Sequence, residues 1–293
     1  MPSPSDADDP MRHSITRRAF LGRLFAAAGV LGCGAACGPA YARLVEPHWL
    51  EISRLIIKIP DLPQAMDGLT IAHLSDLHHG PYVPLGDISH AVAVTNSLHP
   101  DIVALTGDYI SDDSSYASPC AAAVAGLQAR LGLFACLGNH DHWQGAQVVT
   151  AALERAGVRL LRNEAVPIDG KSAGLWIVGV DDICEGLDDL EQAMASVPTG
   201  ASVVLLAHEP DFGDTASVWP SIVLQLSGHS HGGQVRLPFY GPLVVPAYAK
   251  QYPMGYYRLK HMALYTSRGI GLVPPPIRLN CRPEIAAITL RAA

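Results

Sequence analysis

An α/β fold with a largely parallel sheet is predicted by three observations. Short apolar runs alternate along the chain with stretches of helical period, the order of elements that builds parallel sheet. Polar clusters rich in His, Asp and Asn stand at the ends of those runs. No internal repeat and no long polar linker interrupts the pattern, so residues 43–293 read as one domain. The chain has 293 residues, 49% apolar and 16% charged, with a formal net charge of −7. That is ample for a substantial core. It is also mildly acidic with no basic patch to follow a phosphate backbone, which argues against a nucleic-acid partner.

The elements follow in order. "WLEISRLIIKIP" (49–60) alternates as a strand does, and "LTIAHLSDLHHG" (69–80) is a strand ending in a polar cluster. Ile88, Ala91, Val92, Thr95 and Leu98 then share one helical face. "DIVALTGDY" (101–109) is a second buried strand, followed by an alanine-rich helix from about Pro119 to Gln128. "GLFACLGNHDHW" (132–143) is a third strand, with a helix expected over Ala146 to Ala156. "LWIVGVDD", "SVVLLAHEPD" and "SIVLQLSGHSH" supply three more strands, and from Gln234 onward short strands are broken by prolines. The aromatic residues between Phe239 and Tyr257 are expected to pack in the core, a lipid-facing or aromatic substrate wall being the alternative.

The N-terminus has a different character. Thr16-Arg17-Arg18-Ala19-Phe20-Leu21 precedes a mild apolar run from Leu24 to Cys37, too short and glycine-rich for a comfortable spanning helix. Ala40-Tyr41-Ala42 closes it with a small-x-small cleavage site. Residues 1–42 resemble a twin-arginine export signal, which implies the twin-arginine translocase as a partner and a periplasmic or envelope location. Val30-Leu31-Gly32-Cys33 resembles a lipoprotein box and offers a rival processing route. Beyond this segment Cys120, Cys136, Cys184 and Cys281 are scattered without Cys-x-x-Cys spacing, which excludes the usual thiolate zinc sites. The run Leu133–Leu137 points to a buried free Cys136, against the disulfide that an oxidising compartment would permit.

The polar clusters carry the chemistry. Asp76, Asp108, Asn139, His208 and His229 each follow a mostly apolar run, so five strands aim ligand-type side chains at one edge, where open α/β sheets bind ligands. Asp76-Leu77-His78 and His229-Ser230-His231 each put two such side chains on one face by the strand period of two. Thirteen histidines in 293 residues give about 0.6 His-x-His pairs by chance. The pair in "SGHSHGGQV" (227–235) therefore gains its meaning only from the convergence. Gly228, Gly232 and Gly233 allow close backbone approach or positive φ. Mixed oxygen and imidazole donors without thiolate suit Mn, Fe or Zn.

In that order Asp76-x-His78, Gly107-Asp108, Gly138-Asn139-His140-Asp141, His208 and Gly228-His229-x-His231 resemble the five blocks of the calcineurin-like metallophosphoesterases. "GHSHGGQVRLPFYGPLVVP" and "RGIGLVPPPIRLNCRPEIAAITL" are similar to a bacterial branch of exported or membrane-associated phosphodiesterases. The resemblance implies a sandwich of two β-sheets flanked by helices, and two divalent ions. Asp76, His78 and His231 would hold one, Asn139, His208 and His229 the other, and Asp108 would bridge them. It further implies hydrolysis of a phosphate ester by a metal-bridging hydroxide, with His140 protonating the leaving group and Asp141 orienting its ring. Such a reaction needs up to about 20 kcal/mol of transition-state stabilisation, while one hydrogen-bond donor supplies about 3 to 4 kcal/mol, so paired cations are the economical solution.

Taken singly, His78 and His231 read as structural histidines; the constellation makes them ligands. His79 and His142 are expected outside the ligand set, Asp112-Asp113 in a solvated loop, and Arg268, Arg278 and Arg282 in substrate binding or in fold-supporting ion pairs. Two competing functions remain. One is a UDP-2,3-diacylglucosamine pyrophosphatase of lipid A synthesis, against which an export signal counts, because that substrate is made on the cytoplasmic side. The other is a metal-stabilised cell-wall binding protein without catalysis, which would be expected to lack His140 or a metal ligand. The substrate expected is a phosphate ester, from lipid or the cell envelope.

Overall fold

In a computed structural model, described here for residues 37–60, 62–168 and 174–293, two six-stranded sheets face each other. The segment with Arg17, Arg18 and Cys33 lies outside the described residues. The first sheet contains β1 (Glu51–Ile59), β2 (Thr70–Leu74), β3 (Ile102–Thr106), β4 (Gly132–Cys136) and β5 (Arg159–Leu160). The second contains β6 (Glu164–Pro167), β7 (Leu175–Gly179), β8 (Ser202–Leu206) and β9 (Ile222–Ser227). A two-stranded hairpin, β10 (Arg236–Leu237) with β11 (Gly241–Pro242), follows; β12 (Gly255–Leu259) and β13 (Met262–Thr266) then complete the second sheet. Finally β14 (Glu284–Ala292) returns to the first sheet and inserts between β1 and β2, parallel to the former and antiparallel to the latter. Most other neighbours are parallel, as expected; the antiparallel pairs β6–β7 and β12–β13 stand at the two edges of the second sheet.

The period of two along each strand sorts side chains into layers. Ile71, Ile102, Ala104, Phe134 and Cys136 of the first sheet meet Ile177, Val204, Leu206, Leu224 and Leu226 of the second in the central core. Their neighbours Ala72, Leu74, Val103, Leu105 and Leu137 point outward, against the helices α1 (Leu85–Ser97), α2 (Ala117–Val124) and α3 (Asn139–Arg155). On the far side Val178, Val203, Leu205 and Leu264 pack against the short helices α4 (Leu190–Met194) and α5 (Gly213–Ala216). The face Ile88, Ala91, Val92 and Thr95 of α1 is buried as its spacing requires. Helix α3 starts earlier than the sequence pattern indicates, directly at Asn139, with a break at Gly145 where φ is 124°. The polar run Asn139-His140-Asp141-His142 hides that first turn because its partners come from other loops.

Residues 42–293 form one compact unit. Cys120, Cys136, Cys184 and Cys281 are free thiols. The expected core packing of the aromatics is corrected in part: Tyr252 and Tyr257 meet edge to face, but Tyr248 and Tyr256 are exposed, and Phe239 and Tyr240 sit exposed in the β10–β11 turn. Among the described residues no helix is long and apolar enough to cross a membrane. Ala42, the last residue of the export-like segment, is buried, and its carbonyl accepts a hydrogen bond from the Arg278 N–H at 2.9 Å.

Candidate metal centre

The loops leaving β2, β3, β4, β8 and β9 deliver all nine sequence-predicted residues to one end of the sandwich. Their backbone is unusual. Asp76, His78, Asp108, His229 and His231 all have positive φ, between 46° and 65°. Each such non-glycine residue costs roughly 1 to 3 kcal/mol, and such strain gathers at functional sites. These left-handed residues lie just beyond the strand ends, where their side chains gather. Close approach does the rest: a Cβ on Gly228 would overlap the side chains of Ser75 and Asp76.

Asp76 with His78 and His231 make one group of donors, and Asp108 with His208 and His229 a second; His78, Asp108 and His140 form a third that overlaps both. In the first, His78 Nε2 stands 3.0 Å from His231 Nε2, and His231 Nε2 stands 3.4 Å from Asp76 Oδ1. In the second, His208 Nε2 is 3.2 Å from Asp108 Oδ2, and His229 Nδ1 is 3.0 Å from Asn139 Oδ1. Asp108 Oδ2 also lies 3.3 Å from His78 Nε2, so one carboxylate oxygen touches both groups. Donor atoms about 2.1 Å from a transition-metal ion stand about 3.0 to 3.4 Å apart, depending on coordination angle. The separations fit that range. Among the described residues the buried Asp76 Oδ2 has no hydrogen-bond partner, an expensive condition unless a cation satisfies it.

Neighbouring groups set which ring nitrogen can coordinate. His208 Nδ1 faces the Thr106 carbonyl at 2.6 Å, which leaves Nε2 as the ligand atom. His229 does the reverse, with Nε2 on the Ala247 carbonyl at 2.9 Å and Nδ1 toward Asn139. Such outer hydrogen bonds hold a ring in one tautomer and orientation. Burial, then the nearby His78 ring and Arg278, hold His231 well below the usual imidazole range, and burial with His208 lowers His229. A neutral ring is the form that ligates; His208 is held well above the usual range instead, burial being outweighed by the Asp108 carboxylate, so a cation there would have to displace its proton.

His140 is partly exposed at the mouth, edge-on to His78 and tilted against Trp143, with ring centroids 4.7 Å away in each case. Its Nδ1 is 3.3 Å from the Ser111 carbonyl. Burial lowers its pKa, against the pull of the Asp108 carboxylate. The expected contact between Asp141 and the His140 ring is corrected. The Asp141 carboxylate is fully buried and accepts three main-chain N–H bonds instead, from Asp108 at 2.8 Å, Tyr109 at 2.9 Å and Gly138 at 3.0 Å. It occupies the third position of α3 and reaches back to the N-cap, so it ties the β3 and β4 loops together. Burial and the Asp108 carboxylate push it up to about 7 while the Gly138 and Tyr109 N–H groups pull it down.

The remaining expectations sort clearly. His79 bonds the Val83 carbonyl and His142 pairs with Asp181, both outside the donor groups. Asp113 caps the short turn at Ser115. The three arginines support the fold. Arg278 donates to the carbonyls of Arg268, Gly269, Gly271 and Cys281, Arg268 pairs with Glu284, and Arg282 lies over Trp49. Sequence reasoning missed Cys184 and Glu209, which form a further donor group with His229. Burial and Glu209 raise the Cys184 thiol, so it is protonated and a poor ligand. Glu209 follows His208 directly and Asp182 ends the run "LWIVGVDD"; only that position in the sequence marks either of them.

Residues 69–233 match the family model for calcineurin-like phosphoesterase, a stretch that includes all nine of these residues. The chain belongs to this family. As a calcineurin-like phosphoesterase it is a phosphoester hydrolase of a metal-dependent class. It is 34% identical over 95% of its length to the uncharacterized metallophosphoesterase YkuE of Bacillus subtilis, and covers 98% of that protein. It is 33% identical over 94% of its length to the phosphodiesterase YaeI of Escherichia coli, covering 99% of it. A 5'-nucleotidase precursor from Thermus thermophilus aligns over 76% of the chain at 15% identity with a TM-score of 0.45; the chain spans about half, 54%, of that structure.

Proposed function

We propose that this calcineurin-like phosphoesterase is a phosphodiesterase working with two divalent cations, Mn, Zn or Fe. The carrying observation is Asp108 Oδ2, in reach of His78 Nε2 and His208 Nε2 at once. Asp76, His78 and His231 would hold one cation, Asn139, His208 and His229 the other, with Asp108 in reach of both. When bound, a pair of cations supplies Lewis-acid charge for the phosphoryl oxygens and makes water acidic enough to attack at neutral pH. The chain's own residues do the rest. The Asp108 carboxylate neutralises and spaces the two cation sites, and its Oδ1 accepts the His140 N–H at 2.9 Å, which fixes the first turn of α3. With Nδ1–H toward the Ser111 carbonyl, His140 presents Nε2 to the departing oxygen, and it is the cationic ring, which burial opposes and the Asp108 carboxylate favours, that carries the transferable proton there. The attacking oxygen bonds to phosphorus, the ester P–O bond breaks, and the departing oxygen takes the His140 proton. A diester and water thus give a monoester and an alcohol. The name of the relative YaeI supports the diester preference.

We also propose export by the twin-arginine translocase through Arg17-Arg18, which carries folded proteins and so permits metal loading beforehand, to the periplasm or envelope. Elemental analysis tests the centre. Purified chain should carry close to two divalent ions, and Asp108→Ala should lose most of both together with activity on bis-(p-nitrophenyl) phosphate. Retention of both ions and full turnover would remove Asp108 from the bridging position.

A further inference from the structure

Beside the donor groups opens a cleft of about 650 Å³, within the usual range for small-molecule sites. Asp108, Asn139, His140, His229 and His231 line one end of it. The other end is built from Val235, Leu243, Val244, Val273, Pro274 and Ile277. The Gln234 amide there is already committed. Gln234 Nε2 donates to the carbonyls of Val273 at 2.9 Å and Pro275 at 3.3 Å, while its Oε1 accepts the Val273 N–H at 2.9 Å. Ser230 Oγ accepts the Gly232 N–H at 3.0 Å. Among the described residues no Lys or Arg lines the cleft, and the nearby Arg236 spends Nη1 on the Gly232 carbonyl at 2.7 Å.

Those facts select the chemistry of an occupant. A sugar or nucleobase entering the far end would leave water to meet chiefly aliphatic side chains and a Gln234 amide that is already bonded, at a cost of roughly tenfold or more in affinity for each polar group left unpaired. A second phosphate would meet no cationic side chain among the described residues that line the cleft. An aliphatic chain loses nothing and gains about fourfold for each methylene taken out of water. The rim extends the same character: the β10–β11 hairpin, whose flanks supply Val235, Leu243 and Val244, carries an exposed Leu237, Phe239 and Tyr240 at its turn. A patch of this kind beside a binding groove marks an apolar ligand or surface.

We infer that the substrate is an amphiphile: a phosphodiester with a long aliphatic substituent, its phosphate at the donor groups and its chain along the Val235–Val244–Ile277 wall. This rests on the phosphodiesterase reading above and specifies its substrate class. Hydrolysis by the route given yields one phosphomonoester and one alcohol, either of which can bear the chain.

The test uses the full chain loaded with Mn²⁺ and a series of methyl, butyl and octyl p-nitrophenyl phosphates, each kept below its aggregation threshold. From methyl to octyl, kcat/KM should rise about 100-fold or more. Val244 is 74% exposed, so Val244→Asp keeps its new charge solvated in the folded chain; it should cut the octyl-to-methyl ratio about tenfold. Ile56→Asp, at an exposed apolar position on β1 outside the cleft, should leave the ratio as it is. Dodecyl p-nitrophenyl phosphate offered dispersed and in phosphatidylcholine vesicles identifies the source, faster turnover from vesicles assigning a bilayer and equal turnover a dispersed amphiphile. Metal-dependent hydrolysis of the methyl ester with an octyl-to-methyl ratio near one overturns the aliphatic subsite and leaves the phosphodiesterase reading intact. A thymidine p-nitrophenyl phosphate turned over faster than the octyl ester also overturns it. No metal-dependent turnover of any ester overturns both.

Discussion

Replacing Asp141 by Asn separates two roles that the sequence alone would merge. The carboxylate is fully buried and receives the N–H groups of Asp108 and Gly138 on Oδ2 and that of Tyr109 on Oδ1. An amide has one acceptor atom. Its best orientation keeps Oδ1 toward Asp108 and Gly138 and turns the NH₂ group toward the Tyr109 N–H, where two donors oppose each other. The orphaned N–H costs roughly 1 to 3 kcal/mol, and two charge-assisted bonds weaken to neutral ones at roughly 1 kcal/mol each. Loss of the charge also relieves its burial cost and its repulsion with Asp108, which offset most of the weakening of the two bonds. A net destabilisation of about 2 kcal/mol, close to that of the orphaned N–H alone, follows, which for a domain of this size lowers Tm by about 4 to 8 °C. Because Asp108 is tied through this carboxylate, metal affinity should fall about 10- to 100-fold, as when a group supporting a ligand is removed. Scanning calorimetry at fixed metal concentration reads the first effect and competition with a chelator the second. A variant that melts like wild type, binds metal normally and fails only on esters with poor leaving groups would refute the loop-anchor role. Asp141 would then act through the His140 imidazole after all.

His140→Ala should keep its metal content and lose about 10² to 10⁴ in turnover, the usual range for a general acid. The defect should be far larger on alkyl diesters than on nitrophenyl esters, whose leaving group departs without a proton; equal defects, or metal loss, would move His140 out of that role. His73 is buried between the sheets, and burial lowers it to about 4 against the pull of Glu284. The unfolded chain then binds a proton from about pH 6.5 downward that the folded one accepts only near pH 4, so this contribution is full above 6.5 and fades as pH falls toward 4. The loss from pH 7 to 5 is about 2 kcal/mol, and urea titrations of His73→Gln should show a pH dependence shallower by that amount. Lys in place of Arg17 and Arg18 should abolish periplasmic accumulation in fractionated cells, and mass spectrometry of exported protein should show cleavage after Ala42; unchanged export would remove the twin-arginine reading.

The strand and helix alternation and the placing of Asp76, Asp108, Asn139, His208 and His229 at strand ends were legible in the sequence, because both are local. An apolar run of five residues and the polar residue after it are neighbours in the chain, and a period of two or 3.6 is written in adjacent letters. What depends on residues far apart was not legible. Nothing in "PEIAAITL" announces that β14 pairs with β1 and β2, more than 200 positions earlier. The His229 N–H that reaches Asp76 Oδ1 comes from 153 positions away, and the N–H groups that claim Asp141 lie on the loop after β3 as well as its own. A carboxylate in sequence shows only that it accepts, while the donors it meets are decided when two sheets close on each other. The same holds for the aromatics of the hairpin. Their composition suits a core, yet Phe239 and Tyr240 lie in a tight turn that extends past the last layer of side chains able to cover them. Left-handed backbone at Asp76, His78, Asp108, His229 and His231 is the clearest case, since none is glycine and local preference opposes it. Only the packing of five loops at one end of the sandwich holds them there.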